Sequence, residues 1–317
     1  MTRPVHTVAL AAAISALFSA SALAAAPFAK TQGEGYFRTM IGDIEVTAIS
    51  DGTVDLPVDT LLQAKKETVD AALAKSFLKS PLETSDNAYL VNTGTRLVLV
   101  DTGAGGLFGP TLGKMLANLK ASGYQPEQVD EIYITHMHPD HVGGLMSGAA
   151  RAFPNAIVRA AKAESDFWLS EANMNKADAA KKGFFQGAMN SVNPYVQAGK
   201  YQAFEGDIQL VPGITAHADK GHTPGHTTYV VESRGQKIQL AGDLIHVAAV
   251  QMDNPSITIS FDSDSRAAYA SRKKEFDAAA AGGYLIAGAH LPFPGMGHLQ
   301  VQGKGYRWIP VNYTRAQ

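Results

Sequence analysis

The chain has 317 residues, of which 45% are hydrophobic and 18% charged, a composition typical of globular proteins rather than disordered or fibrous ones. Its formal net charge of −2 argues against the general phosphate attraction on which nucleic-acid binding depends. The sequence contains no cysteine, which excludes disulfide bonds, thiol nucleophiles and thiolate metal ligands. A bound metal would therefore need nitrogen and oxygen donors, and the ten histidines are the first candidates.

Residues 1–24 have the organisation of a secretory signal peptide. A basic start at Arg3 is followed by the apolar run Val8–Phe18 and by small residues, Ala22 and Ala24, at the spacing of a cleavage site. The apolar run is too short to span a bilayer comfortably, and no later stretch is long and apolar enough to do so. We therefore expect residues 25–317 to form a single domain that is periplasmic or secreted, with no membrane anchor after cleavage.

The first half of the expected mature chain alternates apolar strand patterns with turns that contain glycine. Leucine and methionine residues at helical spacing between positions 112 and 119 favour a helix that ends before Gly123. The predicted strands are Tyr36–Ile41, Ile44–Ser50, Asp86–Asn92, Arg96–Val100 and Val129–Ile134, and the predicted helix is Thr111–Ala121.

Residues 162–199 are predicted to be mostly helical or irregular, and the strand-rich pattern then returns. The later predicted elements are the strands Ile208–Val211, Thr227–Glu232, Lys237–Leu240 and Tyr284–Ala287 and the helix Ser265–Ala281. A strand-rich part followed by a helical part, occurring twice, predicts an α/β protein in which two sheets pack together with helices outside. No linker or low-complexity segment divides the chain after residue 24.

The strongest chemical signal is the run of residues 135–141, Thr-His-Met-His-Pro-Asp-His, which directly follows a predicted strand. Side chains at positions i and i+2 point to the same face of an extended chain, so His136 and His138 can converge on one ion. Pro139 ends the strand and forces a turn that brings Asp140 and His141 back toward the same space. Imidazole and carboxylate groups together suit zinc and similar ions.

Three further residues that can bind metal stand at the ends of predicted strands. His226 lies directly before the strand that begins at Thr227, Asp243 follows an apolar run, and His290 follows the strand that ends at Ala287. Packed sheets expose such strand ends to a cleft, where catalytic groups are commonly held. We expect these three side chains to join the first cluster.

These motifs together resemble the metallo-β-lactamase fold superfamily. Residues 135–144 match its HxHxDH metal-binding signature, and Thr-Pro-Gly-His, Gly-Asp and terminal His elements follow in the superfamily's order. Segments 51–58, 225–233 and 303–307 look more specifically like the methyl parathion hydrolase branch, which includes organophosphate hydrolases and related lactone and aryl-ester hydrolases. The resemblance covers essentially the whole mature chain and implies an αββα sandwich of two mixed sheets with helices on both outer faces.

The resemblance also implies two metal positions at one edge of the sandwich, with Asp101 supporting them. Zinc is the expected ion, although the same nitrogen and oxygen donors accept manganese, cobalt or iron. Class B1 and B2 β-lactamases place a cysteine at the second position, so the lack of cysteine argues against that activity. The implied ligands are His136, His138 and His226 for the first ion, Asp140, His141 and His290 for the second, and Asp243 as the bridge between both.

With two ions bound, the expected chemistry is hydrolysis by a bridging hydroxide. Coordination to a divalent ion lowers the pKa of water from about 15.7 to about 7, and the ions also polarise the carbonyl or phosphoryl oxygen under attack. We expect Asp140 to orient the hydroxide and Asp243 to hold both ions. These two carboxylates are therefore the predicted catalytic residues.

Mostly apolar residues that the resemblance places over the site are expected to form the substrate pocket. Such walls favour flat, uncharged aryl substrates, and no cluster of arginine or lysine lies near the ligand motifs to bind a phosphate dianion. His246 and the bulky Phe261 favour a small pocket, so we expect a lactonase or arylesterase with weaker phosphotriesterase activity. The predicted pocket residues are Leu61, Phe108, Trp168, Phe185, His246, Ile259 and Phe261.

Several alternatives stay open at this point. The chain fits a phosphotriesterase of the methyl parathion type, a thiol-ester hydrolase or sulfur dioxygenase on the same fold, or a binding protein with an inactive metal site. His222 fits either a residue that supports the neighbouring loop or a surface histidine, whereas His217 and His298 are expected to be structural or exposed. The expected partner is a small-molecule ester and not nucleic acid, and a homodimer packed through residues 162–199 is left open.

Overall fold

The computed structural model describes residues 26–314 of the chain. Residues Glu34–Gln317 form one compact unit, and residues 26–33, which belong to the preceding unit, contain no helix or strand. The predicted signal peptide at residues 1–24 lies outside the described residues, so its cleavage and the domain boundary at residue 25 stay predictions. Within residues 26–314, no helix combines the length and apolar character that crossing a membrane requires.

The described residues contain sixteen strands. In chain order they are β1 (Tyr36–Ile41), β2 (Ile44–Leu56), β3 (Leu82–Asn92), β4 (Leu97–Val100), β5 (Glu131–Tyr133), β6 (Met146–Ser147), β7 (Ala150–Arg151), β8 (Ile157–Ala161), β9 (Tyr201–Phe204), β10 (Ile208–Val211), β11 (Ile214–Ala218), β12 (Thr227–Ser233), β13 (Gln236–Leu240), β14 (Leu285–Ala287), β15 (Met296–Gln302) and β16 (Gly305–Pro310).

Nine α-helices and two short 3₁₀ turns, Pro126–Gln128 and Gly143–Leu145, connect the strands within the described residues. The helices are α1 (Val58–Leu61), α2 (Lys66–Lys75), α3 (Met115–Ala121), α4 (Pro139–Val142), α5 (Lys162–Trp168), α6 (Glu171–Lys176), α7 (Ala179–Gln197), α8 (Ala248–Gln251) and α9 (Ser265–Gly282).

Fourteen of the strands form two mixed sheets of seven strands each. The first sheet has the order β1-β2-β3-β4-β5-β8-β9, with antiparallel pairing from β1 to β4 and parallel pairing from β4 to β9. The second has the order β10-β11-β12-β13-β14-β15-β16, in which only the pair β13–β14 is parallel. Strands β6 and β7 form a separate hairpin.

The two sheets pack face to face. Val98 and Tyr133 of the first sheet share a buried cluster with Tyr229 and Leu240 of the second, and the rings of the two tyrosines stack with their centroids 5.4 Å apart. The outer face of the first sheet packs against α3, α5 and α7, and the outer face of the second packs against α9. The predicted αββα sandwich is therefore confirmed.

Strand β2 is longer than the sequence pattern predicts. The pattern ends the strand at Ser50 because Asp51 and Gly52 are typical turn residues. In the structure these residues form a bulge in the pairing with β3, where Gly52 has a φ of +124°, and the strand continues to Leu56. The bulge directs the carboxylate of Asp51 toward the loop that follows β4, where it accepts a hydrogen bond from the N–H of Ala104.

Helix α3 begins at Met115 rather than at the predicted Thr111. The carboxylate of Asp51 accepts hydrogen bonds from the backbone N–H groups of Gly113 and Met115, so a distant side chain satisfies the donors at this helix start. The sequence pattern also does not predict α2 or the strands β8, β9, β11, β15 and β16. Most of these strands are short or lie toward the sheet edges.

The carboxyl ends of the central strands meet at one edge of the sandwich. Strands β4, β5 and β8 run parallel in the first sheet and lead into Asp101, His136 and Glu164. Strands β13 and β14 run parallel in the second sheet and lead into Asp243 and His290. Because parallel strands end at the same edge of a sheet, residues far apart in the sequence are brought together there.

Candidate functional site

Four side chains converge at this edge of the sandwich. Nδ1 of His138 lies 3.0 Å from Nε2 of His136 and 3.1 Å from Nε2 of His222. Oδ2 of Asp243 lies 3.6 Å from Nε2 of His136 and 3.3 Å from Nε2 of His222. All four residues are buried, and their facing atoms lie within 4.8 Å of one another. This first ligand group presents three imidazole nitrogens and one carboxylate oxygen to one small volume.

A second ligand group lies beside the first and contains Asp140, His141 and His290. Oδ2 of Asp140 lies 3.8 Å from Nε2 of His141 and 3.6 Å from Nε2 of His290. Asp243 reaches this group as well, with Oδ1 3.3 Å from Nε2 of His141 and Oδ2 3.2 Å from Nε2 of His290. One carboxylate therefore lies between the two groups, at the place that the sequence analysis assigned to it.

His226 belongs to neither group, and His222 stands where the sequence analysis expected His226. Nδ1 of His226 donates to the carbonyl oxygen of Asp219 over 3.1 Å, and Nε2 accepts a hydrogen bond from the backbone N–H of Asp243 over 3.1 Å. Both ring nitrogens are therefore already engaged. We correct the assignment of His226 as a ligand, because strand β12 begins directly after this residue and holds it behind Asp243.

Three histidines of the two groups are oriented through their other ring nitrogen. Such a hydrogen bond fixes the tautomer and leaves the lone pair of the opposite nitrogen facing the site. The pairs are Nδ1 of His141 with Oδ2 of Asp101 at 2.8 Å, Nδ1 of His222 with Oδ1 of Asp262 at 2.8 Å, and Nδ1 of His290 with the carbonyl oxygen of Ser85 at 3.0 Å.

Burial and neighbouring charges set the protonation of the site. Burial lowers the pKa of His136 and His138 well below the usual range, so both imidazoles are neutral at pH 7. Burial alone would raise the pKa of Asp243, but the surrounding imidazoles, His290 foremost, hold it well below its usual range. Burial alone would lower the pKa of His222, but the carboxylates of Asp243 and Asp262 beside it raise this pKa to about 9.

This donor set fits divalent metal ions. Nε2 of His141 and Oδ1 of Asp243 are buried and have no hydrogen-bond partner among the described residues. Nδ1 of His138 faces two other imidazole nitrogens within 3.1 Å, and lone pairs brought so close together repel unless a proton or a metal cation lies between them. Nitrogen and carboxylate oxygen donors without thiolate suit zinc and its neighbours among the transition metals.

A cavity of about 520 Å³, here called the main cavity, opens beside the first group. His138 and His222 lie at its inner end, and helices α5, α6 and α7 supply much of its wall. The rings of Trp168 and Phe184 meet the ring of His138 edge-on, with centroids 5.1 Å and 5.0 Å away. This volume lies in the range of small-molecule sites.

A central cavity of about 70 Å³ lies over both groups and includes Asp140, Asp243 and His290 in its lining. Nε2 of His246 lies 3.1 Å from Oδ2 of Asp243, and its imidazole is buried with no hydrogen-bond partner among the described residues. A side groove of about 510 Å³ reaches His246 and His290 from the other side, between α2, α8 and β16. The two ligand groups are therefore flanked by two separate concave surfaces.

Five of the seven predicted pocket residues line the cavities at the site. Trp168 and Phe185 line the main cavity, Phe108 and His246 line the central cavity, and Phe261 lines both. Phe108 is 39% exposed, whereas Trp168 and Phe185 are almost fully buried. Aromatic side chains thus form part of the wall, and the charged residues Lys176, Asp178 and Lys181 also line the main cavity.

Leu61 and Ile259 do not line the main or the central cavity. Ile259 is fully buried and forms a β-bridge with Leu62. Leu61 and Ile259 instead pack in a separate apolar cluster that includes residues of α1, α2 and α8. We therefore correct their assignment to the pocket. The β-bridge between Leu62 and Ile259 places Leu61 and Ile259 in this separate apolar cluster.

Two residues of the site, Phe184 and Asp262, are not predicted from the sequence. Phe184 lines both cavities, and its neighbour Phe185 packs mainly in the core, since successive residues of helix α7 point about 100° apart. No spacing rule marks Asp262, which stands in a loop rich in serine and aspartate. His217 is half-buried beside Asp207 and His298 is exposed, as expected for histidines outside the site.

Comparison with known proteins gives one family match. The family described as the metallo-beta-lactamase superfamily matches residues 83–303. This span includes both ligand groups and the strands from β4 to β15. More than half of the chain is therefore covered by the match.

Two solved structures are similar over most of the chain. The crystal structure of AbOPH, a hydrolase in the beta-lactamase superfamily, is 38% identical with a TM-score of 0.85 and covers 90% of this chain and 100% of that one. AidC, a dizinc quorum-quenching lactonase solved with a product, is 26% identical with a TM-score of 0.81 and covers 89% and 99%. Both similarities extend across the two sheets and the site.

A curated relative, N-acyl homoserine lactonase from Bacillus sp, is 30% identical over 167 residues. The match covers 46% of this chain and 57% of that relative. The N-acyl homoserine lactonase AttM from Agrobacterium fabrum is 26% identical over 214 residues, which are 62% of this chain and 73% of that relative. The chain thus spans little more than half the length of the first of these relatives.

Proposed function

The chain belongs to the metallo-beta-lactamase superfamily, and we propose that it is a metal-dependent hydrolase that opens lactones. The observation that carries the proposal is a pair of ligand groups that share Asp243 at the inner end of an aromatic cavity. The lactonases among its relatives and structural neighbours support the choice of a lactone as the substrate.

We propose zinc as the ion in both positions. Ions bound there would lower the pKa of a bound water and polarise the carbonyl oxygen of the substrate. The residues that would hold them are His136, His138 and His222 for the first ion, Asp140, His141 and His290 for the second, and Asp243 for both.

Asp140 is the residue to which we assign the handling of protons. Its side chain is 26% exposed, unlike that of Asp243, and it lines the central cavity where the substrate carbonyl would lie. Its Oδ2 faces the second ligand group, and we assign to this carboxylate the role of orienting the attacking water and accepting its proton. The resulting carboxylic acid returns this proton to the alkoxide oxygen released when the acyl C–O bond of the lactone breaks.

The central cavity favours a planar ester over a phosphotriester. Its volume is only about 70 Å³, and His246 and Phe261 stand on its wall. The carbonyl carbon of a lactone is planar, and only one ring has to fit in this cavity. The phosphorus of a phosphotriester is tetrahedral, so two alkoxy groups and the leaving group have to fit around it. We therefore rank lactones and aryl esters above phosphotriesters as substrates.

The main cavity supplies room for an apolar substituent on the lactone. Its inner wall contains Phe167, Trp168, Phe184 and Phe185, and the rings of Trp168 and Phe185 lie 4.6 Å apart. Burial of apolar surface contributes about 25 cal/mol per Å², so an acyl or aryl side chain in this cavity strengthens binding. A substituted lactone is therefore favoured over an unsubstituted ring.

A substrate screen tests the proposed activity. The purified, zinc-loaded chain would be assayed with N-acyl homoserine lactones, dihydrocoumarin, an aryl acetate, methyl parathion and a cephalosporin. We expect lactones to have the highest kcat/KM, methyl parathion to be slower, and the cephalosporin to be untouched. A preference for methyl parathion of about tenfold, or 1.4 kcal/mol in transition-state stabilisation, would instead favour a phosphotriesterase.

We also propose that the chain is exported and forms a homodimer. The charge and hydropathy pattern of residues 1–24 supports export to the periplasm or beyond. The segment 162–199, which contains α5, α6 and α7, is the proposed contact between copies. The mass of the exported protein tests the first proposal, and sedimentation of the purified chain tests the second.

A further inference from the structure

Glu164 is a fully buried carboxylate that belongs to neither ligand group. It lies on α5, directly after β8 of the first sheet. Oε2 accepts a hydrogen bond from the backbone N–H of Met137 over 3.0 Å. Oε1 accepts one from the backbone N–H of Gly225 over 2.7 Å and one from the hydroxyl of Thr223 over 2.5 Å. One side chain therefore binds donors from two separate loops.

The three donors stand directly beside the residues that we assign as metal ligands. Met137 lies between His136 and His138, so its backbone orientation sets the directions in which both imidazoles point. Thr223 follows His222 without an intervening residue. The carboxylate of Glu164 thus joins the loop of the first sheet to the loop of the second sheet at the point where their ligands face each other.

The second loop also packs tightly against the backbone of α5. A Cβ atom at Gly225 would lie 2.7 Å from the backbone nitrogen of Glu164 and 3.0 Å from the Cβ of Ala163, so glycine permits this close approach. The same helix carries Phe167 and Trp168 in the wall of the main cavity. Helix α5 therefore contacts both the ligand loops and the substrate pocket.

We propose that Glu164 is a positioning residue that holds the two loops in register, so that the nitrogens of His138 and His222 lie 3.1 Å apart before a metal binds. A buried carboxylate is costly unless hydrogen bonds compensate it, and here three donors do so. Because the loops are already fixed, less conformational entropy is lost when a metal binds. The inference rests on the proposed function for its metal ligands and adds a residue that contacts neither metal nor substrate.

The variant Glu164→Gln tests this role with little change in shape. An amide has one acceptor oxygen, and its NH₂ group would face a donor from Met137 or from Gly225, so at least one of the three hydrogen bonds is lost. We expect zinc to bind about 10–100-fold more weakly, the range seen when hydrogen bonds behind metal ligands are removed. Zinc affinity would be measured by competition with a chromophoric chelator.

Amide hydrogen exchange in the metal-free protein gives a second readout that is independent of activity. We expect faster exchange at Met137 or at Gly225 in Glu164→Gln, because the N–H group that faces the amide NH₂ group loses its acceptor. Glu131→Gln is the matched control, since Glu131 is also buried but its carboxylate pairs with Arg159 at 2.7 Å, away from both loops. This control should leave zinc affinity and both exchange rates at their wild-type values.

Thr223 provides a test should Glu164→Gln fail to fold. Thr223→Val removes one donor to the carboxylate and should weaken zinc binding, whereas Thr223→Ser keeps the hydroxyl and should restore it. Wild-type zinc affinity and wild-type exchange at Met137 and Gly225 in a folded Glu164→Gln variant would overturn the proposal. Because exchange is read without metal or substrate, this outcome is distinct from a failure to hydrolyse lactones.

Discussion

The backbone N–H of Asp243 donates a hydrogen bond to Nε2 of His226 over 3.1 Å. The opposite nitrogen, Nδ1, donates to the carbonyl oxygen of Asp219. Burial, reinforced by the charge of His222, lowers the pKa of His226 to about 3, so this imidazole stays neutral with one donor and one acceptor. His226 thus holds the backbone of Asp243 in place, while His222 belongs to the first ligand group.

The two histidines of this loop are therefore expected to differ in the effect of their removal. His222→Ala should bind only about one zinc ion per chain, because the first position loses one of its three imidazoles. His226→Ala should still bind both ions, with affinity reduced about 10–100-fold through the loss of support for Asp243. Elemental analysis after dialysis against trace zinc measures both. Full zinc content in His222→Ala together with a loss in His226→Ala would restore the sequence-based ligand assignment.

Asp262 is expected to tune the first metal position through His222. Its Oδ1 lies 2.8 Å from Nδ1 of His222, so Asp262→Ala should weaken zinc binding about 10–100-fold and lower kcat/KM in proportion. Asp253, an exposed carboxylate of the neighbouring segment, provides the control, and Asp253→Ala should change neither quantity. Chelator competition and lactone kinetics measure the two effects. Unchanged zinc affinity in a folded Asp262→Ala variant would contradict this role.

Metal binding is expected to release protons at neutral pH. Burial would lower the pKa of His222 and His290, but Asp243 and the other nearby carboxylates raise both to about 9. Both imidazoles are therefore protonated at pH 7 without metal and must lose about one proton each when Nε2 binds an ion. Zinc affinity should accordingly rise with pH up to about 9 and then level off.

Calorimetry in buffers of different ionisation enthalpy measures this release at pH 7, and equal binding enthalpies in all buffers would contradict it.

The raised pKa values of these two histidines also determine how the stability of the metal-free protein changes with pH. Because the folded-state pKa of His222 and His290 lies above the unfolded value of about 6.5, their contribution to stability is fully present below that pH. It is lost as the pH rises toward about 9.

The main cavity is expected to bind the substituent of the lactone. Ala180 lies on its wall, and Ala180→Trp should raise KM for long N-acyl chains while leaving short-chain lactones unchanged. Ala249 lies in the side groove on the other side of the site, so Ala249→Trp is the matched control and should leave both substrates unaffected. An equal effect of Ala180→Trp on short and long chains would show that the substituent lies elsewhere. Steady-state kinetics with lactones of increasing acyl-chain length measures KM for each variant.

Much of the fold could be predicted from the sequence, because the apolar runs in the sequence coincide with the strands that are buried in the structure. The central strands are rich in buried apolar residues, and the HxHxDH run closely follows one of them, β5. The start of α3 could not be predicted, since it depends on Asp51, a side chain more than sixty residues away in the chain. Local periodicity contains no information about such a distant acceptor.

The candidate site was predictable where its residues are close in sequence and less so where they are not. His136, His138, Asp140 and His141 come from one short loop, and their types and spacing indicate metal binding directly. The choice between His222 and His226 depends on which way the ring turns from the loop before β12, and spacing alone does not determine this. The roles of Asp262 and Glu164 depend entirely on tertiary contacts, so no motif marks them.

The most direct test of the central claim, two metal positions sharing Asp243 in a lactone hydrolase, is a zinc titration of the metal-free protein with lactone turnover recorded at each addition. We expect negligible turnover without zinc and a rise that ends near two equivalents per chain, and we expect Asp243→Ala not to reach this level. Full lactonase activity in the metal-free protein, or two zinc ions bound with no lactone turned over, would contradict it.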